Sequence, residues 1–383
     1  MDRPRLPAPL DRLLVGLFAA AVTLPLAATV AGVGRADATE ENRQLAPWPG
    51  LPYDRVRLAV WPDAFTRYYT DHFAFRSTLV RWQARARVQA LQSSPTPDVL
   101  LGRNGWLFYG TDGAIEDFTA SDPFAPEELE HWCATLRHTQ DWLERQGRTF
   151  LFVVTPDKHL VYPDHMPPGV RRLGRQTRAA QLVRHLREHS TVRALDLTDP
   201  LRTAGAAERL YHRTDTHWND VGAFTAYREI MARLPRPDLA PAPTRADFDL
   251  RRAWTPGRDL ARMLGLGAVL REDAVWLEPH RPRTARVVEP VQADRDLMYA
   301  RVVTERPGTW PRAVIFRDSF ASALIPHLSE HFSRAVYLWQ NDVDPALVMA
   351  EQPDVVIQQW VGRHLYTAVP YDAVAVWTGA GQQ

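Results

Sequence analysis

The apolar positions of this chain follow two alternating periods. Across residues 127–146, Leu129, Trp132, Leu136 and Leu143 recur at near-helical spacing, and Gly147 is placed to end the helix. Residues 149–154 (TFLFVV) then form a short, wholly apolar run that predicts a strand. The alternation continues with a helix over 177–189 (Leu182, Val183 and Leu186 on one face), a strand over 192–197, and a helix over 220–234 buried through Phe224, Tyr227 and Met231. It closes with a strand at 313–316, a helix at 320–332, a strand at 335–339, a short helix at 345–351 and a last strand at 355–359. Apolar strands alternating with helices predict an α/β fold, a parallel sheet with helices on both faces. In such sheets reactive groups gather beyond the carboxyl ends of the strands. Three places qualify: Thr155-Pro156-Asp157-Lys158, Arg317-Asp318-Ser319-Phe320, and residues 360–364.

The N-terminal part reads differently. Residues 13–33 carry no charge and are long enough to cross a bilayer as a helix. Arg3, Arg5 and Arg12 precede this run, so the chain beyond it is expected outside the cytoplasm. A cleaved signal peptide would use the small-x-small triplet Ala36-Asp37-Ala38; the length of the apolar run favours an uncleaved signal anchor. The expected organisation is a cytoplasmic tip and anchor over 1–36, a lead-in segment over 37–100 with an amphipathic helix near 80–91, and a catalytic domain over 101–383.

Composition narrows the function. The formal net charge is +1, with 45% hydrophobic and 24% charged residues, so no global field is aimed at nucleic acid or anionic lipid, and nucleic-acid binding is not expected. Cys133 is the one cysteine, which excludes an internal disulfide and reads as a small buried hydrophobe. Lys158 is the one lysine among many arginines. Of 13 tryptophans, Trp106, Trp218, Trp254, Trp339 and Trp360 lie near polar motifs, where an indole face can stack on sugar.

Ser319 falls where a strand hands over to a helix. Backbone N–H groups there favour negative charge, as an oxyanion requires, although a serine at this place can also be a plain N-cap. A hydroxyl needs a base to act as a nucleophile. Asp215-Thr216-His217 offers one, because residues two apart in extended chain face the same way and the carboxylate can orient the imidazole. Two other readings of the same residues are a core histidine with a local carboxylate, and a metal site built from His212, Asp215 and His217. Lys158, Trp218, Arg317 and Arg363 are candidate substrate contacts; structural ion pairs and packing are their other readings. His364, Tyr337 and Asn341 share the predicted side of the sheet and receive no role.

The motifs GRNGWLFYG (102–110), VVTPDKHLVYP (153–163), DTHWNDVGAFTAY (215–227), GRDLARMLGL (257–266) and FRDSF (316–320), with ENR (41–43) and DHFAFR (71–76), resemble the alginate O-acetyltransferase family of SGNH-hydrolase-like periplasmic proteins. The resemblance runs over about residues 41 to 365 and implies an SGNH-hydrolase-like, flavodoxin-like sheet. Its motif order is circularly permuted: Asp215 and His217 precede Ser319, the reverse of ordinary SGNH hydrolases. Arg317 departs from the glycine of many members, and the chain resembles the shorter, anchored ones. The family implies Asp215, His217 and Ser319 as a catalytic triad; no metal is expected, since no further clustered ligand is evident in the sequence, and no cofactor is expected. It further implies a single-pass membrane protein with a periplasmic catalytic domain. Acetyl would pass through an acetyl-serine to hydroxyls of an alginate-like exopolysaccharide, supplied by a multi-spanning membrane O-acyltransferase partner. A carbohydrate acetylesterase and a non-catalytic glycan-binding subunit of an export complex stand as alternatives.

Overall fold

The computed structural model describes residues 8–33, 45–289 and 300–379. The triplet at 36–38 and the ENR motif at 41–43 lie outside the described residues. Two compact units emerge. One holds the described residues up to Thr96 together with Ala261–Val269; the other holds Pro97–Leu260 and the described residues from Leu270 onward.

In the first unit the helix Ala8–Val30 is apolar, exposed, and long enough to cross a membrane. Thr29, in its last turn, donates from Oγ1 to the Pro25 carbonyl at 2.6 Å and accepts from the Ala74 N–H at 2.8 Å. A second helix, Arg55–His72, starts at Asp54, whose carboxylate accepts from the Arg57 N–H at 2.7 Å. Its Phe65 and Tyr68 pack edge-on against Trp48, and Trp61 stacks on Phe65. The helix Arg76–Arg85 continues as a π turn, Ala86–Ala90, so the helix expected near 80–91 begins earlier and changes its hydrogen-bond period.

In the second unit β1 (Val99–Leu101) and β2 (Leu107–Tyr109) form an antiparallel pair. β3 (Thr149–Thr155) and β4 (Ala194–Asp196) come next along the chain. β5 (Phe248–Pro256) and β6 (Arg271–Pro279) make a second antiparallel pair. β7 (Arg286–Glu289), β8 (Arg301–Glu305), β9 (Arg312–Arg317), β10 (Arg334–Trp339) and β11 (Val355–Val361) complete the strands. Among the described residues the main sheet has seven strands in the order β4-β3-β11-β9-β10-β8-β7. The five from β4 to β10 are parallel, as expected; β8 and β7 add an antiparallel edge that the sequence did not announce.

Both faces of the central strands are covered, which is why β3, β9 and β10 are apolar through their middles. Leu151, Val153, Ile315 and Ile357 face a core with Trp218, Phe224 and Tyr227, from the helix Asp220–Arg233 and the loop before it. Phe150, Phe152, Val154, Phe316 and Val356 face a second core with Trp132, Leu136, Leu182 and Leu186, from the helices Pro126–Glu144 and Arg178–His189. Each such side chain contributes about 1.5–3 kcal/mol on burial. Gly147 adopts φ +73 after the first of these helices and ends it as expected.

The expected helix over 320–332 is instead three short pieces: a 3₁₀ turn at Ser319–Ala323, one helical turn at Ile325–Leu328 and another 3₁₀ turn at Ser329–His331. Pro326, inside the stretch, has no N–H to extend a helix from Ser319. The long helix dipole expected to point at Ser319 is therefore replaced by the N–H groups of a single tight turn.

Candidate active site

Asp215 and His217 lie in a narrow loop whose base is the antiparallel bridge between Tyr211 and Trp218. The loop ends at Asn219, whose side chain caps the helix Asp220–Arg233 by accepting from the Val221 and Gly222 N–H groups, both at 3.0 Å. Gly222 is required there: a Cβ would collide with the Leu210 carbonyl oxygen and the Trp218 side chain.

Three charged side chains hold the loop's backbone. Lys158, just past the end of β3, donates from Nζ to the carbonyls of His212 (3.1 Å), Arg213 (3.0 Å) and Asp215 (2.6 Å). Glu272, on β6, accepts from the Arg213 and Thr214 N–H groups at 3.1 and 2.9 Å and from the Thr214 hydroxyl at 2.7 Å. Asp259 accepts from the Thr216 N–H at 3.0 Å and the Thr216 hydroxyl at 2.8 Å. Buried backbone groups need such partners, and here an ammonium takes carbonyls while carboxylates take N–H groups. Burial pulls the Lys158 pKa down to about 7, against Asp215, Asp259 and Glu272. Burial opposes the Glu272 charge as well, but His212, Thr214 and the Arg213 N–H outweigh it and hold that carboxyl down to about 2.

Ser319 sits immediately after β9. Asp318, not Ser319, caps the turn: its Oδ1 accepts from the Phe320 N–H at 2.9 Å, and its Oδ2 accepts from the Val361 N–H at 2.6 Å, tying the end of β9 to β11. The serine hydroxyl is thereby left for another partner, which is His217.

His217 Nε2 stands 2.8 Å from Ser319 Oγ, and His217 Nδ1 stands 2.7 Å from Asp215 Oδ1. With Nδ1–H donating to the carboxylate, Nε2 is the lone-pair nitrogen and accepts from the serine hydroxyl. Burial disfavours the imidazolium, yet the Asp215 hydrogen bond and charge, with the Asp259 charge, prevail and raise the His217 pKa above 6.5. The same hydrogen bond and charge take Asp215 below its ordinary 3.8 despite burial. Phe320 packs beside the imidazole, with ring centroids 4.8 Å apart. Ser319 and His217 are both half-buried, so the pair opens to solvent on one side.

The remaining candidates lie behind this front. Lys158 is 1% exposed and occupied with the loop, beneath rather than within reach of a sugar. Trp218 is buried, donates from Nε1 to the Phe320 carbonyl at 3.1 Å and packs edge-on to the Phe320 ring. Arg317, expected as a substrate contact, is 2% exposed, donates from Nη1 to Ser322 Oγ at 2.9 Å and lies 4.5 Å from the Trp339 ring. Arg363 donates to Asp157 Oδ1 at 2.6 Å as a buried ion pair. The sequence pattern assigns nothing to Asp259 or Glu272; Asp259 stands inside the GRDLARMLGL stretch, the one available signal.

The metal alternative changes membership. His212 turns to Glu272, 3.6 Å away, and Asp259 joins Asp215 and His217, with ligand-bearing atoms within 4.8 Å of one another. Both carboxylates already accept hydrogen bonds from the loop, so a cation there would compete with Thr216 and with the His217 Nδ1–H.

Residues 99–301, slightly over half of the chain, match the family described as SGNH hydrolase-like domain, acetyltransferase AlgX. The chain belongs to this family. Among curated proteins it is 28% identical over 178 residues to the probable alginate O-acetylase AlgJ of Pseudomonas syringae pv. tomato, covering 45% of this chain and 42% of that one. It is 32% identical over 154 residues to the probable alginate O-acetylase AlgJ of Pseudomonas aeruginosa, covering 38% and 36%. The chain thus spans about two fifths of the length of the curated relatives it matches. Among solved structures, PatB1 of Bacillus cereus superposes with a TM-score of 0.52 at 17% identity, over 70% of this chain and 96% of that one. That likeness concerns the fold, the SGNH-hydrolase-like sheet with its covering helices.

Proposed function

We propose that this protein is a membrane-anchored O-acetyltransferase that acts outside the cytoplasm on hydroxyls of an alginate-like polysaccharide. The observation that carries the reading is the unbroken line from Asp215 Oδ1 through His217 to Ser319 Oγ, with steps of 2.7 and 2.8 Å. Such a line moves a proton off a hydroxyl as that hydroxyl attacks a carbonyl.

In the first step Ser319 Oγ attacks the acetyl carbonyl of the donor, and its proton passes to His217 Nε2. The donor's carbon–heteroatom bond breaks, and the leaving group takes the proton from His217. In the second step a sugar hydroxyl gives its proton to the same nitrogen and attacks the acetyl-serine. The ester bond to Ser319 breaks and the serine recovers its proton. Asp215 stabilises the imidazolium in both steps. A multi-spanning membrane O-acyltransferase partner is the proposed acetyl supplier, and Ala8–Val30 the anchor that keeps this chain beside it. No cofactor enters the scheme.

Purified protein given an activated acetyl ester, with and without oligosaccharide, tests the direction of transfer. Acetylated sugar that disappears with Ser319→Ala supports a transferase. Release of acetate alone, unchanged by sugar, would make it an esterase.

A further inference from the structure

The first unit carries a second feature that the acyl-transfer scheme does not use. The helix Arg76–Arg85 and its π turn Ala86–Ala90 have two unlike faces. One is covered: Ala84 is buried, and Val80 lies against Gly265, where an added Cβ would stand 3.8 Å from Val80 Cγ1. The other is bare: Leu79 is 51% and Trp82 69% exposed, and Ala86 extends the same stripe. The exposed Arg85 and Arg87 accompany it, and no acidic residue occurs from 76 to 93. An apolar stripe with a tryptophan, flanked by arginines, matches the boundary between acyl chains and anionic headgroups.

The chain also places this helix. Ala74, two residues before it begins, is hydrogen-bonded to Thr29 in the last turn of Ala8–Val30. When that helix crosses a bilayer, a residue bonded to its last turn lies at the bilayer's edge.

We propose that Arg76–Ala90 is a second membrane contact, lying in the outer interface with Leu79, Trp82 and Ala86 toward the acyl chains and the arginines toward anionic lipid headgroups. This rests on Ala8–Val30 being a retained anchor. An anchor alone leaves the first unit free to roll about the helix axis; a second contact on one side fixes that roll.

The test uses the full chain in a Cys133→Ala background, with Leu79→Cys, Trp82→Cys or Phe18→Cys carrying an environment-sensitive dye. Each protein is reconstituted into vesicles of phosphatidylcholine, alone or mixed with phosphatidylglycerol, with brominated acyl chains as quenchers. Quenching at all three positions, greater at 79 and 82 with the anionic lipid and lost there in Arg85→Glu/Arg87→Glu, is the expected result. Quenching at 18 with none at 79 and 82 overturns the inference and leaves the anchor standing. A shielded but unquenched dye at 82 overturns it too, in favour of a protein neighbour or a second copy. No quenching at 18 overturns both.

Discussion

Lys158 Nζ reaches the Asp215 carbonyl oxygen at 2.6 Å, so the chain's one lysine holds the backbone of the residue whose carboxylate meets His217 Nδ1. The two residues come from different sequence motifs, and their meeting joins the end of β3 to the Asp-x-His loop. The lysine acts through geometry: the loop's conformation is what brings His217 within 2.8 Å of Ser319.

Replacing Lys158 with methionine keeps the apolar stem and leaves the His212 and Asp215 carbonyls without their donor, while the Arg213 carbonyl keeps the Leu107 N–H at 2.9 Å. Unpaired buried acceptors cost roughly 1–3 kcal/mol each, so Lys158→Met should lose at least about 2 kcal/mol of unfolding free energy. Denaturant unfolding of the detergent-solubilised chain measures this. Acetyl transfer should fall with it, even at temperatures where the variant stays folded.

Asp259→Asn removes a charge that supports the His217 imidazolium and alters the partner of Thr216. Rate should drop by about tenfold, the scale of one or two weakened charge-assisted hydrogen bonds. The acid limb of the pH–rate profile should move to lower pH, because a charge that raises the His217 pKa is gone. A purely structural role would lower the rate without moving that limb.

Asp215→Asn should cost about 10³–10⁴ in turnover, the scale seen when the orienting carboxylate of a serine–histidine pair is neutralised. In the parent protein the imidazole must be neutral to accept the serine proton. Its pKa is raised above 6.5, so activity should fall on acidification at a pH above 6.5. The stability link has two sides. The raised His217 contributes stability that is full below 6.5 and lost as pH rises through its folded value; the depressed Asp215 contributes stability present above 3.8 and lost as pH falls through its folded value. Asp215→Asn should therefore be most destabilising, relative to the parent, between those two limits.

Arg317→Gly deletes the hydrogen bond to Ser322 and the contact with the Trp339 ring. A loss of about 1–3 kcal/mol in unfolding free energy is expected, with a small change in turnover, since the guanidinium is buried rather than at the cleft. Parallel melts and initial rates distinguish this from a substrate contact, which would raise KM instead.

The sequence made β3, β9, β10 and β11 legible because burial on both faces leaves apolar runs, interrupted in β11 by the buried Gln358 and Gln359, and the sheet rule then picks out Ser319 at the end of β9. It concealed β5 and β6, because β5 exposes Arg251, Arg252 and Trp254 along most of its length. β8, with only Val302, Val303 and Thr304 buried in sequence, was too short to stand out. Asp215, His217 and Ser319 were readable from residue type and placement. Asp259 and Glu272 were not, since nothing in a one-dimensional pattern tells which carboxylate turns inward to meet a loop's N–H groups. For the same reason Lys158 and Arg317 read as substrate contacts: a charge near a strand end looks alike whether it faces the cleft or the loop behind it.

A covalent acetyl group at Ser319 is the event on which the proposed acyl transfer depends. Purified chain mixed briefly with an activated acetyl ester, quenched in acid and digested, should yield the Ser319 peptide carrying one acetyl. That adduct should be absent from His217→Ala and should discharge when oligosaccharide is added before quenching. An unmodified Ser319 peptide beside acetylated sugar, or an acetyl on another side chain with Ser319 untouched, would contradict it.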